Sequence, residues 1–250
     1  TIRPVGNKNE LQPALAASLL TDEQITLHNV PDTVDRATLI AIMRDIGVRV
    51  DEPVSHTLTI CAGSLNSTSL DKDMCAKVRG GFMFSGPLLA RHGRATVPRP
   101  GGDKIGRRRV DTHILALEAL GAKIHTNHIY ELRAPKGLKG ADIFLDERSV
   151  TATENAIMAA VLAEGKTIIQ NAASEPHVQQ LCRLLNKMGA SISGIGSNII
   201  EIVGVSELHG AEHTIAPDYM EVGSFIGLAA VTNSPLRIAD AAPQDMRRSL

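Results

Sequence analysis

The sequence predicts a mixed α/β or α+β fold built from three repeated units and the start of a fourth. One pattern, an apolar-periodic helix followed by a glycine and a short β-branched strand, occurs as TLIAIMRDIGVRVD, THILALEALGAKIH and VQQLCRLLNKMGASIS. Gly47, Gly121 and Gly189 each stand where a helix C-cap needs a left-handed residue. We therefore expect three helices that end at these glycines, each followed by a strand.

A second pattern, a helix that runs through a turn into a strand, precedes each copy of the first. Its copies are LAASLLTDEQITLHNVP, PLLARHGRATVPRP and AAVLAEGKTIIQNA, and a fourth, GLAAVTNSPLRIADAAP, lies near residues 226–243. The strand-like runs HTLTIC, HIYELRA and NIIEIVG complete three units, each with two helices and about four strands. Three units predict one domain with approximate threefold symmetry, and the fourth copy starts a second domain.

The composition is that of a globular protein that fills its core with aliphatic side chains. Of the 250 residues, 43% are hydrophobic but only 2% are aromatic, so Leu, Ile, Val and Ala must form the core. The formal net charge of −1, from 26 basic and 27 acidic residues, argues against a nucleic-acid-binding or membrane-binding surface. Any anionic ligand must then be bound by local basic residues.

The cysteines and the chain ends give expectations about location and completeness. Cys61, Cys75 and Cys182 are widely spaced and have no metal-ligand pattern, which favours buried thiols in a reducing compartment. No apolar run approaches the roughly 18 residues of a membrane span, and the opening TIRPVGNKNE has no signal-peptide character. We expect a cytoplasmic protein. Because the chain starts at Thr1 and stops at Leu250, where a helix is beginning, we also expect it to be incomplete at both ends.

The first candidate site is the segment Gly6–Asn7–Lys8–Asn9, ahead of a helix expected to start near Glu10. A glycine turn into a helix N-terminus offers backbone N–H groups to an anion, and Lys8 adds a positive charge. The alternative is a simple N-cap by Asn9 with a solvated Lys8.

The second candidate is the loop from Arg99 to Arg109. Gly101 and Gly102 permit close approach of the backbone to a ligand, and Asp103 is a carboxyl group among cations. The basic residues able to hold phosphate groups are Arg99, Lys104, Arg107, Arg108 and Arg109. The alternative is a solvated basic turn in which Asp103 pairs with a neighbour.

The third candidate follows this loop, where Asp111 is expected to cap a helix that runs through Leu120. Asp111 and His113 then lie beside the basic loop, able to contact a base or ribose. The alternative for His113 is a satisfied histidine in a first helical turn.

Two further segments have the residue types of a binding site. Arg79 precedes two glycines in an apolar stretch predicted to be helical. Each glycine lowers the stability of a helix by about 1 kcal/mol relative to alanine, so we expect that either a ligand or a packed helix approaches the backbone closely there. Residues Ser149 to Thr153 supply hydroxyl and N–H groups ahead of the helix AIMAAVLA, as an anion or sugar site. The alternative is a capping segment with Glu154 near the first turn. The absence of a Walker loop, a strand-linked GxGxxG, a GxSxG elbow and a zinc pattern argues against hydrolases, dinucleotide oxidoreductases and metalloenzymes.

Taken together, GNKNE, VRGGFMFSGPLLARHG, RPGGDKIGRRRVDTH, LKGADIFLDERSVTATEN and PDYMEVGSF resemble the enolpyruvyl transferase (EPSP synthase-like) family over essentially the whole chain. The element PGG-x-x-IG-x-R-x-VD-x-H resembles the branch that acts on UDP-N-acetylglucosamine rather than the shikimate branch. The resemblance implies an inside-out α/β barrel of βαβαββ units, with helices inside, sheets outside and ligands between two domains. It implies that residues 8–216 form the first domain and that 1–7 and 217–250 are incomplete pieces of the second.

The resemblance also implies roles for individual residues. Lys8 and Asn9 match a pair that meets phosphoenolpyruvate and the sugar, Arg79 and Arg108 match arginines of the cleft, and Asp103 matches a loop cysteine of many members. Asp103, Lys8 and Arg108 are therefore expected to be catalytic. The segment that matches the uracil cradle is Arg109, Val110, Asp111, Thr112 and His113, and the segment that matches the diphosphate-binding turn is Ser149, Val150 and Thr151.

This chain departs from the family pattern at four positions. Arg109 stands where proline is common, Glu147 where some members have lysine, Thr151 where glycine is usual and Tyr219 where some have arginine. The family's deprotonating aspartate and its distal arginines lie beyond Leu250, so we expect this chain alone to lack turnover.

The activity implied by the resemblance is transfer of the enolpyruvyl group from phosphoenolpyruvate to the 3-hydroxyl of UDP-N-acetylglucosamine. This is the first committed step of peptidoglycan synthesis, and it needs no metal or organic cofactor. The alternatives are the shikimate-pathway relative, with the same chemistry on another acceptor, and a non-catalytic nucleotide-sugar-binding fragment.

Overall fold

The computed structural model describes residues 1–102 and 109–246. Its helices are α1 (Lys8–Ala17), α2 (Val34–Asp45), α3 (Lys72–Cys75), α4 (Ser85–His92), α5 (Asp111–Ala119), α6 (Val150–Ala160), α7 (Pro176–Lys187) and α8 (Tyr219–Thr232). Its strands are β1 (Ile25–His28), β2 (Arg49–Val54), β3 (Thr57–Cys61), β4 (Arg94–Pro98), β5 (Lys123–Thr126), β6 (Ile129–Arg133), β7 (Asp142–Phe144), β8 (Lys166–Gln170), β9 (Ser191–Ser193), β10 (Ile199–Val203) and β11 (Ala211–Thr214). Short 3₁₀ helices span Ser18–Leu20, Arg79–Phe84 and Pro243–Met246.

The strands form three sheets that share one topology. Their orders are β11-β1-β3-β2, β4-β6-β5 and β7-β8-β10-β9. In the two four-stranded sheets the outer strand, β11 or β7, is parallel to its neighbour, while all other pairs are antiparallel. In the three-stranded sheet, a parallel bridge between Ser69 and Thr96 takes the place of that outer strand. The predicted threefold repeat is therefore confirmed.

The glycines that end the repeated helices adopt the predicted conformation. Gly47, Gly121 and Gly189 have φ angles of 91°, 95° and 100°, and each lies two residues after the last residue of α2, α5 or α7. Side chains with a Cβ are strained in this region, which explains why the position is glycine in each unit.

The fourth copy of the second pattern is only partly as predicted. Its helix forms as α8, but the expected strand is reduced to one parallel bridge between Ile238 and Ile2. A strand needs a paired neighbour for its N–H and C=O groups, and Ile2 supplies only two such hydrogen bonds, with Arg237 and Ala239.

Helices lie inside and sheets outside, as the resemblance implies. Every residue of α6 after Thr151 is buried, and most of α1 is buried. The strands β1, β3, β8 and β10 alternate between buried and more exposed positions, so that one face of each sheet covers the helices. The mixed α/β class is confirmed, but in the described residues the strands form three separate sheets and not one closed barrel.

Two of the three cysteines are buried as expected. Cys75 and Cys182 are fully covered, whereas Cys61 is half-buried, and all three are free thiols. Burial raises the pKa of both covered thiols to about 12. Among the described helices, none has the length and apolar character needed to cross a membrane.

Candidate functional site

A cavity of about 290 Å³ lies between the helix starts of the first and second repeats. The lining residues are Lys8, Asn9, Gln12, Asp35, Lys77, Val78, Arg79, Gly80, Phe82, Met83, Gly102, Val110, His113 and Thr151. Six of the predicted site residues, Lys8, Asn9, Arg79, Val110, His113 and Thr151, are therefore brought together.

The first turn of α1 carries Lys8 and Asn9 into this cavity. The helix begins at Lys8 and not at Glu10, and its N-cap is Asn7, whose side chain accepts hydrogen bonds from the N–H groups of Asn9 and Glu10. The alternative prediction of a cap by Asn9 is thus wrong, because the chain turns two residues earlier. The Lys8 ammonium lies 3.4 Å from Asp35, which also accepts a hydrogen bond from Gln12 at 3.2 Å.

Glu10 holds the same turn of α1 from the opposite face. Its carboxylate accepts hydrogen bonds from His213 at 2.8 Å and from the N–H group of Ala216 at 3.2 Å. Burial raises the pKa of Glu10, although the hydrogen bond and charge of His213 oppose that shift. These bonds tie α1 to the end of β11 and thereby set where Lys8 and Asn9 lie.

Arg79 begins a 3₁₀ helix, not an α-helix, and donates a hydrogen bond to the carbonyl oxygen of Arg109 at 3.0 Å. The sequence left open whether a ligand or a helix approaches the adjacent Gly80. A Cβ there would lie 2.8 Å from the side-chain oxygen of Gln12, so α1 packs against it, and Gly80 also lines the cavity.

The glycines at positions 101 and 102 pack closely against the backbone at the end of α3. A Cβ on Gly101 would lie only 1.7 Å from the carbonyl oxygen of Ala76, and both glycine N–H groups donate to carbonyls of α3 or its C-cap. The close approach predicted for Gly101 is therefore to Ala76, while Gly102 lines the cavity. Asp103 and Arg108 lie outside the described residues, as do Lys104 and Arg107.

The segment that begins α5 is divided between the cavity and other contacts. Asp111 is the first residue of α5 rather than its cap, Val110 precedes it without a side-chain cap, and α5 ends at Ala119. The Asp111 carboxylate instead pairs with the exposed Arg109. Thr112 donates a hydrogen bond to Asp146 at 2.8 Å. Of this segment, only Val110 and His113 line the cavity.

At the start of α6, Ser149 is the N-cap and accepts a hydrogen bond from the N–H group of Ala152. Thr151 lines the main cavity, and its Oγ1 lies 3.1 Å from Nε2 of His113. Val150 lines a second cavity of about 360 Å³, which shares Asn9, Gln12, Met83 and Thr151 with the first. The predicted anion-binding turn therefore lies at the junction of two cavities.

The second cavity contains two carboxyl groups with incomplete hydrogen bonding. Glu154 is 1% exposed, and within the described chain neither its Oε1 nor Oε2 of Glu175 has a hydrogen-bond partner. Burial, and secondarily the charge of Glu175, raises the pKa of Glu154 well above its usual value. The Tyr219 ring stacks on His177 on the same wall, with ring centroids 6.1 Å apart. Glu154 is thus a buried wall residue and not a surface capping residue.

Sequence reasoning did not identify Gln12, Asp35 or Asn155. Gln12 follows Lys8 by four residues, so the helical period places both on the same face of α1. The sequence spacing could therefore have identified Gln12. Asp35 lies in the first turn of α2, and only its distance from Lys8 reveals its place. Asn155 is buried in α6 and contacts His113.

The charges of the main cavity favour an anionic ligand. Among its described lining residues, Lys8, Lys77 and Arg79 supply three positive charges, against one negative charge from Asp35. Burial, and secondarily Arg79, lowers the pKa of His113 to about 3, so this ring is neutral at physiological pH. Among the described residues, no group of three or more His, Cys, Asp or Glu is placed to hold a metal ion.

Known proteins similar to this chain are enolpyruvyl transferases. The family model for EPSP synthase (3-phosphoshikimate 1-carboxyvinyltransferase) matches residues 1–250. A relative from Treponema denticola is 53% identical over 99% of this chain, and one from Bradyrhizobium diazoefficiens is 52% identical over 99%. Both are named UDP-N-acetylglucosamine 1-carboxyvinyltransferase, and the chain spans 58% and 57% of their lengths.

Solved structures share the fold at low sequence identity. The enolpyruvyl transferase NikO from Streptomyces tendae superposes with a TM-score of 0.78 at 22% identity, covering 90% of this chain and 54% of that one. EPSP synthase from Acinetobacter baumannii gives 0.74 at 21% identity, with 92% and 52% covered. From the family match over its whole length, the chain belongs to the EPSP synthase family of enolpyruvyl transferases.

Proposed function

We propose that the protein transfers the enolpyruvyl group of phosphoenolpyruvate to the 3-hydroxyl of UDP-N-acetylglucosamine. Its substrates are then two anionic small molecules, and the reaction is the first committed step of peptidoglycan synthesis, with the roles in cell-wall biogenesis, cell shape and cell division that follow from it. The proposal places the protein in the cytoplasm, where its free thiols stay reduced. The names of the relatives that share about half of its residues support this acceptor over shikimate 3-phosphate.

The observation that carries the proposal is the convergence of Lys8, Arg79, His113 and Thr151 on one cavity. These residues come from the first and second repeats and from the start of α6. From the sequence, Lys8, Arg79 and Thr151 were expected to contact anionic groups and His113 a base or ribose. Lys8 and Arg79 supply charge-assisted hydrogen bonds to phosphate or carboxylate oxygens. The N-terminal end of α6 adds N–H groups and the positive end of a helix dipole.

The chemistry proceeds by addition and elimination. The methylene carbon of phosphoenolpyruvate takes up a proton, the sugar 3-hydroxyl oxygen bonds to the adjacent carbon and loses its proton, and a tetrahedral intermediate forms. Loss of inorganic phosphate and of one methyl proton then restores the double bond. Positive charge develops at the attacked carbon, so anion-binding residues near it must position the substrate without opposing that charge. We assign the proton donor to Asp103 and the phosphate contact to Arg108 from the sequence alone.

We also propose that residues 8–216 form one domain and that residues 1–7 and 217–250 belong to a second. Helix α8 supports this division, because it is strongly apolar yet exposes Met220, Ile226, Leu228 and Val231. Such a helix is normally covered by further structure. Since the base and distal arginines of the family belong to that second domain by resemblance, this chain alone binds substrate but does not turn it over.

Calorimetric titration of this chain with UDP-N-acetylglucosamine and with shikimate 3-phosphate tests the acceptor. We expect binding of the nucleotide sugar and none of the shikimate ester. Binding of shikimate 3-phosphate alone would assign the chain to the other branch. For the protein encoded by the full reading frame, tight nucleotide-sugar binding without phosphate release from phosphoenolpyruvate would identify a non-catalytic binding protein.

A further inference from the structure

Asn155 lies at the centre of a buried hydrogen-bond network that joins α4, α5 and α6. The N–H group of Gly86 donates to Oδ1 of Asn155 at 2.8 Å. A backbone N–H group can only donate, so this bond fixes which end of the amide is the carbonyl. The amide nitrogen then faces Oγ of Ser85 at 2.8 Å and Nδ1 of His113 at 3.1 Å.

This orientation determines where His113 carries its proton. Because Nδ2 of Asn155 can only donate, Nδ1 of His113 must accept. The ring is buried and neutral, so its single proton is on Nε2, which donates to Oγ1 of Thr151 at 3.1 Å. The Phe82 ring packs edge-on against the imidazole, with centroids 5.1 Å apart, and keeps it in this orientation.

The Thr151 hydroxyl is thereby given a direction. It cannot donate to Nε2, which already carries a hydrogen, and it makes no other hydrogen bond to the described part of the chain. Thr151 lines both cavities, in the first turn of α6. Its own hydrogen is therefore directed to an acceptor in the cavities.

We infer that Asn155 is a positioning residue: through the His113 ring it commits the Thr151 hydroxyl to donate a hydrogen bond to a diphosphate-type anion at the start of α6. The inference rests on the proposed function for its ligand class, since the diphosphate of a nucleotide sugar is esterified at both ends and offers only acceptor oxygens at neutral pH. A hydroxyl that had to donate to a histidine would present only lone pairs to such a ligand and repel it. Asn155 therefore acts on the ligand through three successive hydrogen bonds, to His113, from His113 to Thr151, and from Thr151 to the ligand.

The proton position is tested first on the ligand-free chain. Long-range ¹H–¹⁵N spectra should show His113 as the neutral Nε2–H form, unchanged between pH 5 and pH 8. A proton on Nδ1, or titration of His113 in that range, would overturn the inference. In Asn155→Asp, the new carboxylate accepts from the ring, and the spectrum should change to the Nδ1–H form. A folded Asn155→Asp protein that keeps the Nε2–H form would also overturn it.

The consequence for binding is tested with inorganic pyrophosphate as the probe. Thr151→Val should weaken pyrophosphate binding about tenfold or more, and Thr151→Ser should restore it, since a hydrogen bond to a charged group is lost and regained. In a protein that already carries Thr151→Val, Asn155→Asp should weaken pyrophosphate binding little further. If the new negative charge at position 155 acted on the ligand directly, the additional weakening would remain in that protein. If Asn155→Asp does not fold, the wild-type spectrum and the valine–serine pair still decide the matter.

The outcomes separate this inference from the proposed function. Calorimetric binding of UDP-N-acetylglucosamine, together with equal pyrophosphate affinity of wild type, Thr151→Val and Thr151→Ser, would sink the hydroxyl's role but leave the proposed substrate intact. Pyrophosphate binding that depends on Thr151, in a chain that does not bind UDP-N-acetylglucosamine, would support the role of the hydroxyl but contradict the proposed substrate. A wild-type chain that binds no pyrophosphate would overturn the inference.

Discussion

The ammonium group of Lys8 lies 3.4 Å from the carboxylate of Asp35, and both residues line the main cavity. The two side chains are 49% and 33% exposed, so the pair contributes little to stability, about 0–1 kcal/mol. Its main consequence is electrostatic, because Asp35 places a negative charge in the lining of the cavity that we propose binds an anion.

Asp35→Asn should tighten the binding of UDP-N-acetylglucosamine by about three- to tenfold. Removing one charge that repels the ligand across a partly solvated cleft corresponds to ~1 kcal/mol. The amide oxygen of the new side chain would still accept the hydrogen bond from Gln12. The matched control is Asp32→Asn, whose carboxylate is 85% exposed and pairs with Arg36 outside the cavity lining. Weaker binding by Asp35→Asn would mean that Asp35 orients Lys8 rather than opposing the ligand.

Lys8→Met should weaken the same binding by about 1.5 to 3 kcal/mol, the usual range for a hydrogen bond to a charged group. Methionine keeps most of the length and apolar character of the side chain and removes its charge and its hydrogen-bond donors. Lys139→Met is the control, since that exposed lysine pairs with Glu164 outside the cavity lining. Equal affinities of the two variants, with both proteins folded, would place the anion site elsewhere.

Glu154→Gln should stabilise the protein at neutral pH and not at acid pH. The pKa of Glu154 is raised in the folded state, first by burial and then by Glu175, so folding favours the protonated form. Its stabilising effect is complete below the unfolded pKa and is lost as pH rises towards the folded pKa, by up to about 1.4 kcal/mol per pH unit. Glutamine resembles the protonated carboxyl group and removes this loss.

The measurement is urea unfolding of both proteins from pH 4 to pH 8. The stability difference should grow as pH rises above the ordinary glutamate pKa. Glu118→Gln, at an exposed position of α5, is the control and should show no such trend. Parallel pH profiles for wild type and Glu154→Gln would show that Glu154 ionises normally.

Gly101→Ala should destabilise the protein or displace the loop, because its Cβ would clash with the Ala76 carbonyl oxygen. Gly227→Ala should do the opposite, since that glycine lies within α8 with nothing within 4 Å of a Cβ, and alanine favours a helix by about 1 kcal/mol. Thermal unfolding of both variants provides the comparison. An unchanged or raised melting temperature for Gly101→Ala would contradict the packing of this loop against α3.

Asp103→Cys should make the chain react with the epoxide fosfomycin, whereas the natural chain should not. A thiolate attacks an epoxide far more readily than a carboxylate does. Background reaction is expected to be low at Cys75 and Cys182, because their pKa values are about 12 and both thiols are buried. Intact-mass measurement with UDP-N-acetylglucosamine present should show one adduct more in the variant than in the natural chain, because the half-buried thiol of Cys61 is common to both. An adduct on Asp103 in the natural chain would remove this distinction.

The parts of the fold that depend on local chemistry were predictable from the sequence. Gly47, Gly121 and Gly189 marked helix ends because the left-handed cap is a property of single residues and their neighbours. The residue at which a helix starts was harder to predict from the sequence. Asp111 was expected to cap α5, but its carboxylate pairs with Arg109 instead, and Asn7 rather than Asn9 caps α1.

The cavity lining was predictable where a residue's own type and position indicate an anion site, and unpredictable where a residue contacts the lining only through other side chains. Lys8, Arg79 and Thr151 have side chains typical of anion sites and stand at turns or helix starts. Asn155 lies in an apolar helical run, and its contacts come from Gly86 and His113, 69 and 42 residues away in sequence. No local pattern carries that information, because only the packing of α4 and α5 on α6 brings these groups together.

We expect one cavity, lined by residues from the first two repeats and the start of α6, to bind the nucleotide sugar. The most direct test is a ¹H–¹⁵N titration of this chain with UDP-N-acetylglucosamine. We predict that the largest shifts cluster at Lys8, Asn9, Arg79, His113 and Thr151, with the far edges of the sheets unchanged. Saturable binding whose shifts lie away from this cavity, or no binding at millimolar ligand, would show that this cavity is not the nucleotide-sugar site.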